Sequence, residues 1–506
     1  MQNKTFTIGN RIFEFLFTHK PFYEDENTVV LGYPYNMDIE TFDKTKVNLI
    51  KGYYAYIKIN SDSIEIINDI LGNYRMYYME KDGITYFSND FLVLFDKLSD
   101  NEKKTNLFEM EYWKKHRYTT GGETICCNIH KIKPAHIYKF TNDSIKEKLY
   151  FKNIHNHPNR QKLFEFILSD LRDSISKLKQ TPSKKVLLFS GGADSTLLAK
   201  LLQEQNIEFT PVFIKIEPSN KMNFDDTLKV QVSAKKLGIV PEKLTINITK
   251  CNNNCFINDM FMDRSTAFWT YDIYKQLKDK YGEDIIILSG ETADSILNYG
   301  PTSDGFGDFI ARNFMFSNNI IVNKIYELIL HLTRTQYKNR IFPKTKDFFI
   351  SFFDEIYYKT MYDKNASNEY YQKIHDIVDM FKSLDDKYSL MMYLKIYGFL
   401  QGSDQQVFLK PACYNNCKTI LLFATPQIVY SVIQYSDFKY EIRHPKSVVY
   451  KILKDVFNYQ MPRFKNNSYK QESSKLQTYQ NYEKDLYNCL FEKMNSLNLI
   501  RGEEIL

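Results

Sequence analysis

Several protein classes are excluded by what this chain lacks. No run of eighteen apolar side chains interrupts its 506 residues, so no membrane-spanning helix is expected. The opening MQNKTFTIGN has no apolar stretch of the secretory kind, and a cytoplasmic location is the expectation. Only 18 glycines and 14 prolines are present, too few for a collagenous or low-complexity chain. The 7 cysteines are an odd number in a long chain and do not form a disulfide framework. No dense basic run appears, and 67 Lys and Arg against 61 Asp and Glu leave a net charge of only +6. A nucleic-acid partner is therefore not expected, although a small polyanion remains compatible.

What is present describes a folded protein. Hydrophobic side chains make up 43% and aromatics 15%, which argues against disorder. The length suits roughly two to four domains, each able to bury a core. Two cysteine pairs, Cys251/Cys255 and Cys413/Cys417, have a spacing that zinc sites use. They lie far apart in sequence, and Cys417 precedes an apolar stretch, so reduced free thiols are the reading.

Residues 1–150 read as β-rich. Short apolar or alternating segments at 6–17, 52–59, 63–69, 75–80 and 84–89 are separated by turn signals such as Asn60-Ser61-Asp62 and Lys81-Asp82-Gly83. That spacing predicts antiparallel hairpins in a layered sheet. A polar connector at 152–161, containing Pro158, reads as a linker. From Leu163 a helical period leads into strands at 185–189, 209–216, 243–249 and 284–290 with helices between them. Such alternation predicts an α/β, doubly wound parallel sheet. After about residue 305 the pattern is mostly amphipathic helix.

The strongest chemical signal is Ser190-Gly191-Gly192-Ala193-Asp194-Ser195, placed between an apolar strand and a helix. Glycines allow backbone angles and a close approach that a Cβ would block. Exposed N–H groups and the positive helix end then form an anion cradle, to which Ser190 and Ser195 add hydroxyls. Asp194 would repel a phosphate unless a cation bridged them, which suggests Mg²⁺. A plain helix start with Asp or Ser capping is the competing reading.

This loop resembles the pyrophosphate loop of the ATP pyrophosphatases, not a Walker loop. The resemblance implies ATP as cofactor and cleavage between its α and β phosphates. A second motif, Ser289-Gly290-Glu291-Thr292-Ala293-Asp294-Ser295, resembles the Ser-Gly-Glu-Gly-Ala-Asp-Glu stretch of asparagine synthetases. By that match Ser289 and Gly290 join the nucleotide site, Asp294 joins Asp194 on Mg²⁺, and Glu291 sits by the acyl-adenylate as candidate base or orienting group. Thr292 for Gly and Ser295 for Glu depart from the family pattern. Asp263–Phe268 is similar to a substrate-lining segment of the same family, and Val212–Lys215 marks the strand end where adenine is expected. Near the C-terminus, residues 444–474 resemble the family's closing region. There Lys470, with Lys465 as runner-up, matches the lysine that neutralises charge on the α-phosphate and leaving group.

Gly72–Tyr78, Tyr86–Ser88 and Ile129–Pro134 resemble the class II glutamine amidotransferase domain of the same family. The resemblance implies an Ntn-hydrolase-like domain at 1–150 and an ATP-pyrophosphatase domain at 160–500 with a helical C-terminal part. Its terminal nucleophile would be a cysteine at position 2, yet Gln2 stands there and no cysteine precedes Cys126. That chemistry cannot operate in this sequence unless an unrecognised start or a removed pro-segment supplies the cysteine. The layout without the cysteine resembles β-lactam synthetases and lasso-peptide cyclases.

The expectation is thus an ATP-dependent, AMP-forming, amide-bond-forming synthetase. Its partners would be a small-molecule or peptide carboxylate and either an amine or ammonia, free or from a separate source. The rival expectations are an intramolecular cyclase, a tRNA-modifying adenylating enzyme, and a nucleotide-binding paralogue without turnover.

Overall fold

The computed structural model describes residues 2–37, 44–116, 118–218, 226–251, 269–297, 368–402, 405–462 and 473–497, with a few isolated positions besides. Residues 2–149 form two layered sheets. One has the order β1-β2-β8-β7-β9 and the other β11-β10-β6-β5-β4-β3. The strands are β1 (Gln2–Ile8), β2 (Arg11–Phe17), β3 (Tyr23–Glu24), β4 (Thr28–Tyr33), β5 (Tyr53–Ile59), β6 (Ser63–Asn68), β7 (Tyr77–Lys81), β8 (Ile84–Ser88), β9 (His130–Lys131), β10 (His136–Thr141) and β11 (Ile145–Leu149). Alternation does what the period-2 rule requires. On β10, His136, Tyr138 and Phe140 are buried while their neighbours are half-buried. Phe140 meets Phe87 of the other sheet edge to face, with ring centroids 4.8 Å apart, so the aromatic side chains form the contact between layers.

The expected hairpins are present, with one departure. β2 pairs with β8 in parallel, Phe13 opposite Thr85 and Phe15 opposite Phe87. Strands β3–β7 supply the long crossover that a parallel pair needs. Helices α1 (Phe91–Phe95) and α2 (Leu107–His116) cover a satellite core beside this sheet.

Further on, α3 (Arg160–Lys179) precedes a sheet in which every pairing is parallel. The elements in order are β12 (Lys184–Leu188), α4 (Ala193–Glu204), β13 (Thr210–Glu217), α5 (Asp226–Leu237), β14 (Glu242–Asn247), α6 (Thr270–Tyr281), β15 (Ile285–Ser289) and α7 (Ala293–Ile296). The strand order is β14-β13-β12-β15-β16. Successive residues face opposite cores: Val186, Ile285 and Ile287 pack with Ile273, Tyr274 and Leu277 of α6, whereas Leu187, Ile286 and Leu288 pack with Leu197, Leu198 and Leu201 of α4. Helices therefore cover both faces, as the near-continuous apolar strands predict. The chain order reverses between β12 and β15, and such a switch point opens a crevice at the strands' carboxyl ends.

The fifth strand, β16 (Lys418–Leu421), was not legible in the sequence. Only four residues long, it sits within a mostly helical stretch and has no alternation to read. Around it lie α8 (Asn368–Met380), α9 (Lys387–Lys395), α10 (Gln406–Tyr414), α11 (Pro426–Tyr435), α12 (Phe438–Arg443), α13 (Ser447–Asp455) and α14 (Ser473–Ser496). No helix among the described residues is long and apolar enough to cross a membrane. Cys126 and Cys417 are buried, and burial pushes the Cys417 thiol up to about 11, away from the thiolate that zinc requires. Cys255 lies outside the described residues. No group of three or more His, Cys, Asp or Glu able to hold a metal occurs among those described.

One apolar core joins the sheets of both halves, running from Ile8 to Tyr459. Polar contacts fix the junction. Lys51, buried, reaches Asp170 Oδ1 at 2.6 Å, Asp173 Oδ2 at 2.8 Å and Ser174 Oγ at 2.8 Å, all on α3. Asp170 Oδ2 also accepts from Thr425 Oγ1 at 2.6 Å, and Thr425 caps α11. The connector at 152–159 is tied down as well: His157 N donates to Gln434 O at 2.7 Å and Asn159 N to Tyr435 O at 2.9 Å.

Replacing Lys51 with Met strands the Asp170 carboxylate in the interior. The urea unfolding free energy should fall by about 3 kcal/mol, the cost of breaking a buried pair from one side. Lys44→Met, which breaks the exposed pair with Glu65, should leave the midpoint nearly unchanged.

Candidate functional site

The crevice is built from the loops that follow β12 and β15. After β12 the chain must turn sharply into α4. Gly191 does this with φ 67, and a Cβ there would lie 2.9 Å from the Lys229 carbonyl oxygen. Gly192 is the N-cap, and no side-chain hydrogen bond closes the end of α4. Its free N-terminal N–H groups and dipole leave an anion cradle. A Cβ on Gly192 would come within 3.3 Å of Ser190 Oγ and 3.4 Å of Lys229 Nζ, so the missing side chain leaves a space that a hydroxyl and an ammonium flank. Ser190 Oγ and Ser195 Oγ lie 3.3 Å apart at its edge.

The second loop is pressed against the first. A Cβ on Gly290 would stand 2.9 Å from Asp194 Cβ and 3.2 Å from Ser195 N, so only glycine admits this contact. Ser289 Oγ accepts from Glu291 N at 3.1 Å, which shapes the turn. Thr292 then takes a left-handed backbone, φ 75, although it is β-branched and fully buried. An L side chain is strained in this region, where glycine would adopt the same angle freely. Thr292 Oγ1 donates to the Glu291 carbonyl. On the far side, the buried Lys395 ammonium donates to the Ser295 carbonyl.

Asp194 and Asp294 converge on a residue that sequence reasoning missed. Lys446 Nζ is 2.5 Å from Asp194 Oδ2 and 2.5 Å from Asp294 Oδ1. Burial pulls this ammonium down, but the two carboxylates together outweigh burial and hold it above its ordinary value. The largely buried Asp194 carboxyl is pushed up by desolvation, which Lys446 offsets only in part. Asp194 Oδ1 is buried without a hydrogen-bond partner. Two convergent carboxylates with one oxygen unpaired are a hard-oxygen donor set, and that fits Mg²⁺ shared with a polyphosphate.

Ser190, Gly191, Gly192, Asp194, Ser195, Ser289, Gly290 and Asp294 thus lie on two adjoining loops, and Glu291 follows Gly290 on the second of them. Lys470, Lys465 and Asp263–Phe268 lie outside the described residues. Val212 and Phe213 are core residues on opposite faces of β13, while Ile214 and Lys215 continue the strand half-exposed. Two lysines were not legible as site residues. Lys229, on α5, reaches the cradle across a sequence gap, and Lys446 lies inside the 444–474 segment, where the resemblance pointed to Lys470 instead. A left-handed lysine, φ 58, is visible only in the backbone.

No family model and no curated protein matches this chain. Among solved structures it is similar to a U34-tRNA thiolase from Methanococcus maripaludis, at 15% identity and TM-score 0.21, over 46% of this chain and 78% of that one. An NH3-dependent NAD synthetase from Campylobacter jejuni gives 14% identity and TM-score 0.20, over 46% of this chain and 97% of that one. An NMN synthetase from Francisella tularensis gives 15% and 0.19, over 51% and 97%. At such TM-scores these likenesses carry no functional weight.

Two outcomes test the geometry. Thr292→Gly should raise the unfolding free energy by about 1 kcal/mol by relieving the left-handed strain, whereas Thr292→Ala, which keeps the Cβ, should not. Lys229→Met should weaken binding of inorganic pyrophosphate roughly tenfold by calorimetry, the worth of one charge-assisted hydrogen bond.

Proposed function

We propose that this protein is an ATP-dependent synthetase that adenylates a substrate carboxylate and passes the acyl group to an amine. The observation that carries the reading is the convergence of a glycine-rich cradle, two carboxylates and an ammonium at the switch point of a parallel sheet. The cradle of Ser190, Gly191, Gly192 and Ser195 would take the β and γ phosphates, with Lys229 beside it. Asp194 and Asp294 would hold Mg²⁺, which supplies charge neutralisation for the departing pyrophosphate.

In the first step an oxygen of the substrate carboxylate bonds to the α-phosphorus, and the bond from that phosphorus to the bridging oxygen breaks. Pyrophosphate leaves and an acyl-adenylate remains. The amine then attacks the acyl carbon, AMP leaves with the bonding pair, and the amine loses a proton. Glu291, which follows Gly290 on the β15 loop, is the candidate to take that proton. Lys446 is the described lysine that can meet the negative charge growing on the leaving group, a role that the family resemblance gave to Lys470. Residues 160–500 would form the synthetase and residues 1–150 a glutaminase-like layer. This reading takes its nitrogen from an amine substrate or from ammonia made elsewhere.

ATP–pyrophosphate exchange tests the reading. With Mg²⁺ and a panel of small acids and carboxylate-bearing peptides, exchange should appear with one substrate class. Asp194→Ala should lower it at least roughly a hundredfold. Nucleotide binding without exchange across the panel would favour a paralogue that binds but does not turn over.

A further inference from the structure

The two carboxylates already share a cation, and it belongs to the chain. Lys446 Nζ makes both contacts at 2.5 Å, on Asp194 Oδ2 and Asp294 Oδ1, and so fills the gap between the two carboxylates while Asp194 Oδ1 stays unpaired. Such bonds from a compact ammonium are charge-assisted on both sides. The base of the side chain is fixed. Lys446 is the N-cap of α13 with a left-handed backbone. Next to it, Ser447 Oγ donates to Glu441 Oε2 at 2.6 Å, and the buried Glu441 stands 3.8 Å from Arg160 of α3. Arg160 lies over the Tyr440 ring at 3.5 Å, and Tyr440 stacks on His444 at 4.1 Å. With the backbone anchored on α3, the movable part of Lys446 is its four-carbon stem. A divalent cation and this ammonium cannot occupy the same gap, because like charges at that distance repel strongly in a partly buried site.

We propose that Lys446 is the resident counter-ion of the metal site, keeping divalent cations off Asp194 and Asp294 until nucleotide phosphates arrive to receive its ammonium. Metal and nucleotide then enter together, and the lysine changes partners from carboxylate to phosphate by rotating its stem. This inference rests on the adenylation reading and adds an order of binding to it.

Mn²⁺ titration of the full chain, followed by calorimetry with and without a non-hydrolysable ATP analogue, tests it. Wild type should bind Mn²⁺ weakly alone and at least about tenfold more tightly with the analogue. Lys446→Met should bind Mn²⁺ alone about tenfold more tightly than wild type, and adding Asp294→Asn should remove the gain. Lys446→Gly accompanies it, because glycine accepts the left-handed backbone and keeps α13 in place should the Met variant unfold. Tight Mn²⁺ binding by nucleotide-free wild type would overturn the proposal. So would folded Lys446 variants, confirmed by circular dichroism, that bind no better than wild type. Mn²⁺ binding requires no carboxylate substrate. A silent exchange assay with the expected Mn²⁺ pattern would therefore defeat the adenylation reading alone, and the reverse result would defeat the counter-ion alone.

Discussion

Everything at the crevice depends on how closely two strand-end loops approach. Gly290 lies so near Asp194 that a single methyl would push the loops apart. That distance decides whether Asp194 and Asp294 act as one group or as two separate surface carboxylates. Parallel neighbours make the contact possible, since β12 and β15 end side by side and their following turns leave in the same direction. The order of strands in the sheet thus sets the chemistry as much as the motif does.

Close approach creates an electrostatic problem that the rest of the site answers. A buried carboxyl and a second carboxylate cannot stand this close without a cation. The chain supplies ammoniums from two directions, Lys446 at the head of α13 and Lys229 on α5. Neither belongs to the loops that carry the motifs. Helices from distant parts of the sequence therefore complete the site, and their placement depends on the cores on that face of the sheet.

The glycine-rich loop and the parallel sheet were legible because they are local: a strand, a tight turn and a helix start follow one another in the sequence. Layered sheets in the first 150 residues were legible from alternation and turn chemistry. What escaped was set by tertiary contact. β16 has four residues and a helical neighbourhood, and the parallel β2–β8 pair joins strands separated by a long crossover. Lys446 is one lysine among many until its backbone angle and its two partners are seen. Thr292 shows the opposite case, in which a departure from the family motif marks the position where the backbone is left-handed.

The connector between the β-layers and the parallel sheet bears on how the molecule can move. Read as a linker, residues 152–161 would let the halves swing about a polar tether. Instead the backbone at His157 and Asn159 is sewn to the end of α11, and the Asn156 amide donates to the Ile433 carbonyl at 2.6 Å. A segment stitched at Asn156, His157 and Asn159 is a weld, and a weld does not act as a hinge. Any movement at the strand-end loops must therefore come from those loops and the side chains around them, and not from a swing of the two halves about this segment.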